Sequence, residues 1–117
     1  MKMITSSQAK RFISVCQFDD VVEDEIKKII LPNGHPIALY KVEDQIYATD
    51  DICSHGEASL SEDGVIEGFE VECTWHFGKF DIRDGKACAM PCEHPIQVWR
   101  SEVIDDEVYI EVDSEIA

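Results

Sequence analysis

A thiol and an imidazole two residues apart, Cys53-Ser54-His55, are followed after residues 56–72 by a second such pair, Cys73-Thr74-Trp75-His76. Two soft thiolates and two borderline imidazoles make one four-ligand site, of a donor type that suits zinc or an iron-sulfur cluster. Spacing helps to choose. Zinc sites commonly pair Cys with Cys across roughly two to four residues and His with His across roughly three to five. Here each pair joins one Cys to one His. With only Ser54 between them, Cys53 and His55 reach two irons more easily than they wrap around one small tetrahedral ion. The pattern predicts a [2Fe-2S] cluster with two cysteines on one iron and two histidines on the other, which raises its potential above that of all-cysteine ferredoxins. The other reading is a structural zinc knuckle, making the chain a zinc-stabilised interaction module; colour and iron content separate the two.

The surrounding residues resemble a known family, the soluble Rieske ferredoxins of bacterial aromatic ring-hydroxylating dioxygenase systems. The runs Cys53-Ser54-His55-Gly56-Glu57-Ala58-Ser59-Leu60-Ser61 and Cys73-Thr74-Trp75-His76-Phe77-Gly78-Lys79-Phe80-Asp81 resemble that family's two ligand loops, and Met90-Pro91-Cys92 resembles its proline-bearing cover loop. The likeness runs from about Phe12 to Val112. It implies an all-β Rieske-type iron-sulfur fold: a single domain over 1–117, an antiparallel β-sandwich scaffold with a small cluster-binding subdomain at about 52–91. By the same resemblance Cys53 and Cys73 bind the inner iron, and His55 and His76 the outer iron with their rings toward the surface. One Rieske-type [2Fe-2S] cluster is then the cofactor. The partners implied are an NAD(P)H-dependent flavin reductase as electron donor and a terminal oxygenase as acceptor, both met transiently.

Membrane-anchored respiratory Rieske proteins resemble the same pattern but carry a disulfide between their ligand loops and hydroxyl donors beside the cluster. Here Ala58 and Trp75 stand at the disulfide positions, Gly78 at the serine and Phe80 where a tyrosine is expected. Hydrogen bonds to cluster sulfur stabilise the reduced state, so their loss places the expected potential near the low end for such centres, on the order of −150 mV. Phe77 occupies a position that often holds glycine. With Glu57, Trp75 and Pro91 it lies beside the ligands in sequence, where the four could shape a docking surface; for Trp75 and Phe77 packing over the cluster is the expected role.

Of five cysteines, Cys16, Cys88 and Cys92 remain after ligation. A reducing compartment and an odd number of spare thiols favour buried or half-buried thiols over a Cys88–Cys92 bridge. His35 and His94 are expected to be ordinary loop or strand residues, because the ligand set is already complete.

The chain has 117 residues and a formal net charge of −15, from 10 basic and 25 acidic side chains. That field excludes nucleic acid as a partner, and could steer the carrier toward basic patches on redox partners or simply keep it dispersed. No stretch approaches the roughly 20 apolar residues of a membrane span, and no leader pattern opens the chain, so a cytoplasmic location without membrane contact is expected.

The scaffold must be built from short alternating strands. Phe12–Cys16, Ile26–Leu31, Pro36–Val42, Gln45–Thr49, Val65–Ile66, Glu70–Cys73, Lys79–Ile82, Ile96–Arg100, Glu102–Ile104 and Glu107–Val112 carry that pattern. Pro32-Asn33-Gly34, Glu43-Asp44, Glu67-Gly68-Phe69, Asp84-Gly85 and Asp105-Asp106 read as turns. No long helical pattern stands out, and the first ten and last five residues are expected to be loose. Nothing resembles a substrate pocket or a mononuclear iron triad, so no catalytic site is expected. A redox sensor would need an output domain that 117 residues do not offer, and the small subunits of nitrite reductases often lack these four ligands.

Overall fold

A computed structural model describes residues 10–53, 58–74, 78–89 and 94–113. Among the described residues eleven strands form three antiparallel sheets. The first joins β1 (Lys10–Gln17), β11 (Glu107–Asp113) and β10 (Ser101–Ile104) in the order β1-β11-β10. The second runs β2-β3-β4-β9, from Ile26–Ile30, Pro36–Val42, Gln45–Asp50 and Val98–Trp99. The third, β5-β6-β7-β8, takes Gly64–Glu67, Glu70–Cys73, Gly78–Asp81 and Ala87–Ala89. The helical content of the described residues is one turn of α1 (Leu60–Asp63) and a 3-10 turn at Phe18–Asp20.

Strand β3 explains the layering. Its run of Ile37, Ala38, Leu39, Tyr40 is buried throughout, as a strand covered on both faces must be. Because side chains alternate across a strand, Ile37 and Leu39 join one core with Ile46, Ala48, Val108, Ile110 and Val112 from the other strands. Ala38, Tyr40 and Val42 join a second core with Leu60, Val71, Phe80, Ile82, Ile96, Cys53 and Cys73. The second sheet is thus the middle layer. One sandwich becomes two cores sharing a strand.

The expected turns take the backbone their residues suit. Glu43-Asp44 and Asp105-Asp106 both hold positive φ (53° and 63°, 50° and 66°), the paired left-handed conformation of two-residue hairpins. Gly34 sits at φ 92° after β2, and Leu31 N–H donates to His35 C=O at 2.9 Å to close that bend.

Several boundaries move. The expected strand at Ile96–Arg100 shrinks to Val98–Trp99, because Ile96 N–H is spent on Gly85 C=O at 2.8 Å rather than on a neighbouring strand. Strand β8 and helix α1 lie where the sequence shows no alternation. Lys10 and Asp113, expected to be loose, pair across β1 and β11, with Lys10 Nζ 2.8 Å from the Asp113 carboxylate.

Candidate cluster site

The two cysteines of the quartet occupy matching corners of two hairpin loops. Beyond β4 an antiparallel bridge joins Ile52 to Ser59, and Cys53 N–H donates to Ala58 C=O at 2.9 Å. Between β6 and β7 the last paired residues are Cys73 and Gly78. Each loop therefore leaves a cysteine, passes through four residues, and returns at a residue with little or no side chain. Both cysteines are buried, Cys53 at 2% and Cys73 at 0% exposure, in one packed cluster with Ala58, Leu60, Val71 and Phe80. His55 and His76 lie outside the described residues, as do Glu57, Trp75, Phe77, Met90, Pro91 and Cys92.

The residues present fit a cluster anchored by sulfur. Both thiols project from rigid, paired backbone into an apolar interior, where soft ligands are shielded from water. The neighbouring hydroxyls are already committed. Thr74 donates its hydroxyl to the Asp63 carbonyl and its N–H to the same oxygen at 3.2 Å. Ser59 donates to the Asp51 carboxylate at 2.6 Å. Gly78 and Phe80, both buried, bring no hydroxyl at all.

Two consecutive carboxylates brace the first loop. Asp50 accepts from His35 Nε2 at 2.7 Å and from the Trp99 indole at 2.9 Å, tying the end of β4 to β9 and to the start of β3. His35, a loop residue just before β3, is thus a structural partner of Asp50. Asp51 is fully buried and accepts from Ser59 Oγ and, at 2.8 Å, from Ser61 N–H. The sequence reading gave neither aspartate a role. Adjacent acidic residues ahead of a loop look like solvated charge, and the available hint was the run of serines at Ser59 and Ser61 on the loop's return.

The second loop is braced at the far end of its sheet. Arg83 grips Asp81 through Nε at 3.0 Å and Nη2 at 2.7 Å, and holds that carboxyl below its ordinary range, chiefly through those side-chain hydrogen bonds. The same guanidinium lies 4.2 Å from the Phe69 ring centre, and Phe69 meets Tyr47 of β4 edge-on at 5.8 Å. The third sheet is pinned to the middle one here. Tyr40, deep in the shared core, has its phenol pushed far up by burial, with its oxygen 2.8 Å from Thr49 Oγ1.

The remaining thiols divide. Cys16 is half-buried and pushed up by desolvation. Cys88, expected to be at least half-buried, is exposed, because β8 is an edge strand; its thiol points to the Lys86 carbonyl at 3.5 Å.

Comparison with known proteins agrees with this geometry. The model of the Rieske [2Fe-2S] domain matches residues 11–100. The chain is 57% identical over 100 residues to the ferredoxin component of the p-cumate 2,3-dioxygenase system of Pseudomonas putida, covering 86% of this chain and 85% of that one. A ferredoxin of Sphingomonas yanoikuyae B1 superposes with a TM-score of 0.82 at 32% identity, covering 87% of this chain and 99% of its own. A structure of the complex of reduced oxygenase and oxidised ferredoxin in carbazole 1,9a-dioxygenase matches with a TM-score of 0.79 at 39% identity, over 85% and 91% of the two chains. The family model's match over most of the chain, together with the 57% identical relative, places this chain in the Rieske [2Fe-2S] family.

Proposed function

We propose that this chain is the ferredoxin of an aromatic ring-hydroxylating dioxygenase system. It takes single electrons from an NAD(P)H-dependent flavin reductase and delivers them to a terminal oxygenase. Cys53, His55, Cys73 and His76 hold one Rieske-type [2Fe-2S] cluster, within a cluster-binding unit at about 52–91 of a single domain. The observation that carries this reading is the matched burial of Cys53 and Cys73 at equivalent loop corners. The dioxygenase assignment is supported by the likeness to the p-cumate ferredoxin component, and the oxygenase as partner by the carbazole complex.

When bound, such a cluster supplies a reversible one-electron centre whose potential follows its ligands, hydrogen bonds and exposure. The chain's own contribution is to hold it. Cys53 and Cys73 present thiolates from backbone fixed by cross-strand bonds, so ligand positions change little between charge states. Leu60, Val71 and Phe80 exclude water from the sulfur side. With Thr74 and Ser59 engaged elsewhere, neither hydroxyl is left to stabilise added charge, consistent with a low potential. In this reading His55 and His76, as ligands of the outer iron, form the face through which electrons leave, and their second ring nitrogens are the natural contact for a partner. No helix among the described residues is long and apolar enough to cross a membrane, and the proposed setting is the cytoplasm.

The test is to isolate the brown protein, measure iron and zinc, and record the reduced-state EPR spectrum. Supplying the holo-protein to reductase and oxygenase pairs should then give substrate-dependent oxygen uptake. Zinc without iron would overturn the cluster. An intact cluster that passes electrons to no such oxygenase would overturn the dioxygenase assignment alone. Cys53→Ala and Cys73→Ala should both be colourless.

A further inference from the structure

A carboxylate with no exposure sits two residues before Cys53, at a place where an apolar pair would close a loop without the cost of burying a polar group. Asp51 touches two other pieces of chain. Its N–H donates to the Pro36 carbonyl at 3.2 Å, at the start of β3, and its own carbonyl accepts Leu60 N–H at 2.7 Å. One carboxylate oxygen takes the Ser59 hydroxyl at 2.6 Å and the other takes Ser61 N–H at 2.8 Å. Ser59 and Ser61 are themselves linked at 3.1 Å. Among the described residues no ion pair reaches Asp51.

Each bond made by Asp51 itself joins the departing arm of the first loop either to the returning segment 59–61 or to the start of β3. Ile52 bridges to Ser59 and Cys53 N–H reaches Ala58 between the same arms. Resting on the ligand assignment above, we propose that Asp51 is a positioning residue for the cluster: its carboxylate straps residues 59–61 to the arm carrying Cys53 and so fixes where that sulfur stands. Ser59 is the other half of the strap. Hydrogen bonds to a carboxylate are about twice as strong as neutral ones and tolerate little loss of geometry, so they hold a loop that has few apolar residues of its own. Neither residue is a ligand.

The experiment uses purified holo-protein and follows bleaching of the visible band by an iron chelator. Ser59→Ala removes one bond and keeps the charge; its cluster should be lost on the order of tenfold faster. Ser59→Thr keeps the hydroxyl and should restore the wild-type rate, which a loop merely sensitive to substitution would not do. Asp51→Asn, unable to accept both bonds, should bleach faster than Ser59→Ala. Should Asp51→Asn not fold, the two Ser59 variants decide the matter. Wild-type bleaching rates in Ser59→Ala, or equally fast rates in Ser59→Ala and Ser59→Thr, would overturn the strap. Wild-type protein without a [2Fe-2S] spectrum would instead overturn the ligand assignment.

Discussion

Gly85 and Gly34 are both at positive φ, 83° and 92°, yet a methyl group at the two sites meets different surroundings. At Gly34 nothing lies within 4 Å of an added Cβ; at Gly85 the Ile96 carbonyl oxygen stands 2.1 Å away and Val98 Cγ1 3.1 Å. Left-handed backbone costs an alanine about 1–2 kcal/mol, and restriction of the unfolded chain returns about 0.4–1 kcal/mol. Gly34→Ala should therefore be destabilised by no more than about 1.5 kcal/mol. Gly85→Ala carries the same terms and a collision with backbone that cannot rotate away. Relief requires moving Ile96, which stretches its N–H bond to Gly85 at 2.8 Å and disturbs Gly85 N–H on Asp81 at 2.7 Å. Losing one such bond costs about 1–3 kcal/mol when its groups stay buried, and overpacking adds about 1–3 kcal/mol. The two variants should differ by about 2–6 kcal/mol, roughly 8 °C or more in midpoint for a domain of this size. Thermal scans at one fixed rate suit the comparison, since loss of a cluster makes unfolding irreversible. Equal losses in Gly85→Ala and Gly34→Ala would refute the claim that the Gly85–Ile96 seam is a close backbone contact.

Three further outcomes follow from charge and burial. Tyr40 has its folded pKa raised above its unfolded value by burial, so its share of stability is complete below about pH 10 and is lost as pH rises further, by about 1.4 kcal/mol per pH unit. Tyr40→Phe should remove that alkaline slope while costing about 1 kcal/mol at neutral pH for the bond to Thr49; an unchanged slope in urea titrations would contradict it. Asp81 is the opposite case: its folded pKa is depressed, so its stabilisation is present above about pH 4 and fades as pH falls through the folded value. Because Arg83 is half exposed, Arg83→Gln should shift acid-unfolding curves by a fraction of 1 kcal/mol, and a loss confined to neutral pH would argue against it. Asp51→Asn should raise the cluster midpoint, because removing a carboxylate two residues before Cys53 makes the added electron easier to accommodate. An unmoved midpoint in a redox titration would show that this charge is screened.

The scaffold was legible where alternation and turn chemistry agree. Pro36–Val42 and Glu70–Cys73 were expected with the bounds they have, and both flank turns whose residues tolerate positive φ. The alternation at Ile96–Arg100 reads as a strand that begins at Ile96; the bonding of Ile96 to Gly85 is a long-range event that no local pattern encodes. The division into three sheets was hidden for a similar reason. A run such as Ile37-Ala38-Leu39-Tyr40 announces burial on both faces, but not which sheet covers each. At the site, the cysteines announced themselves by type and spacing, whereas Asp51 is chemically ordinary and is distinguished by being enclosed.

Strands β4 and β9 are neighbours, with Ala48 paired to Trp99 and Thr49 to Val98, and Asp50 N–H on the Gln97 carbonyl at 2.9 Å. The chain thus departs the middle sheet at Asp51 and re-enters it beside the point of departure, near Gln97. Everything between, including both ligand loops and the third sheet, is topologically an insertion in a hairpin. A short turn joining the two strand ends would leave every pairing of the other two sheets intact, and the reverse transplant needs only a recipient with two adjacent antiparallel strand ends and an apolar face to replace that of β3.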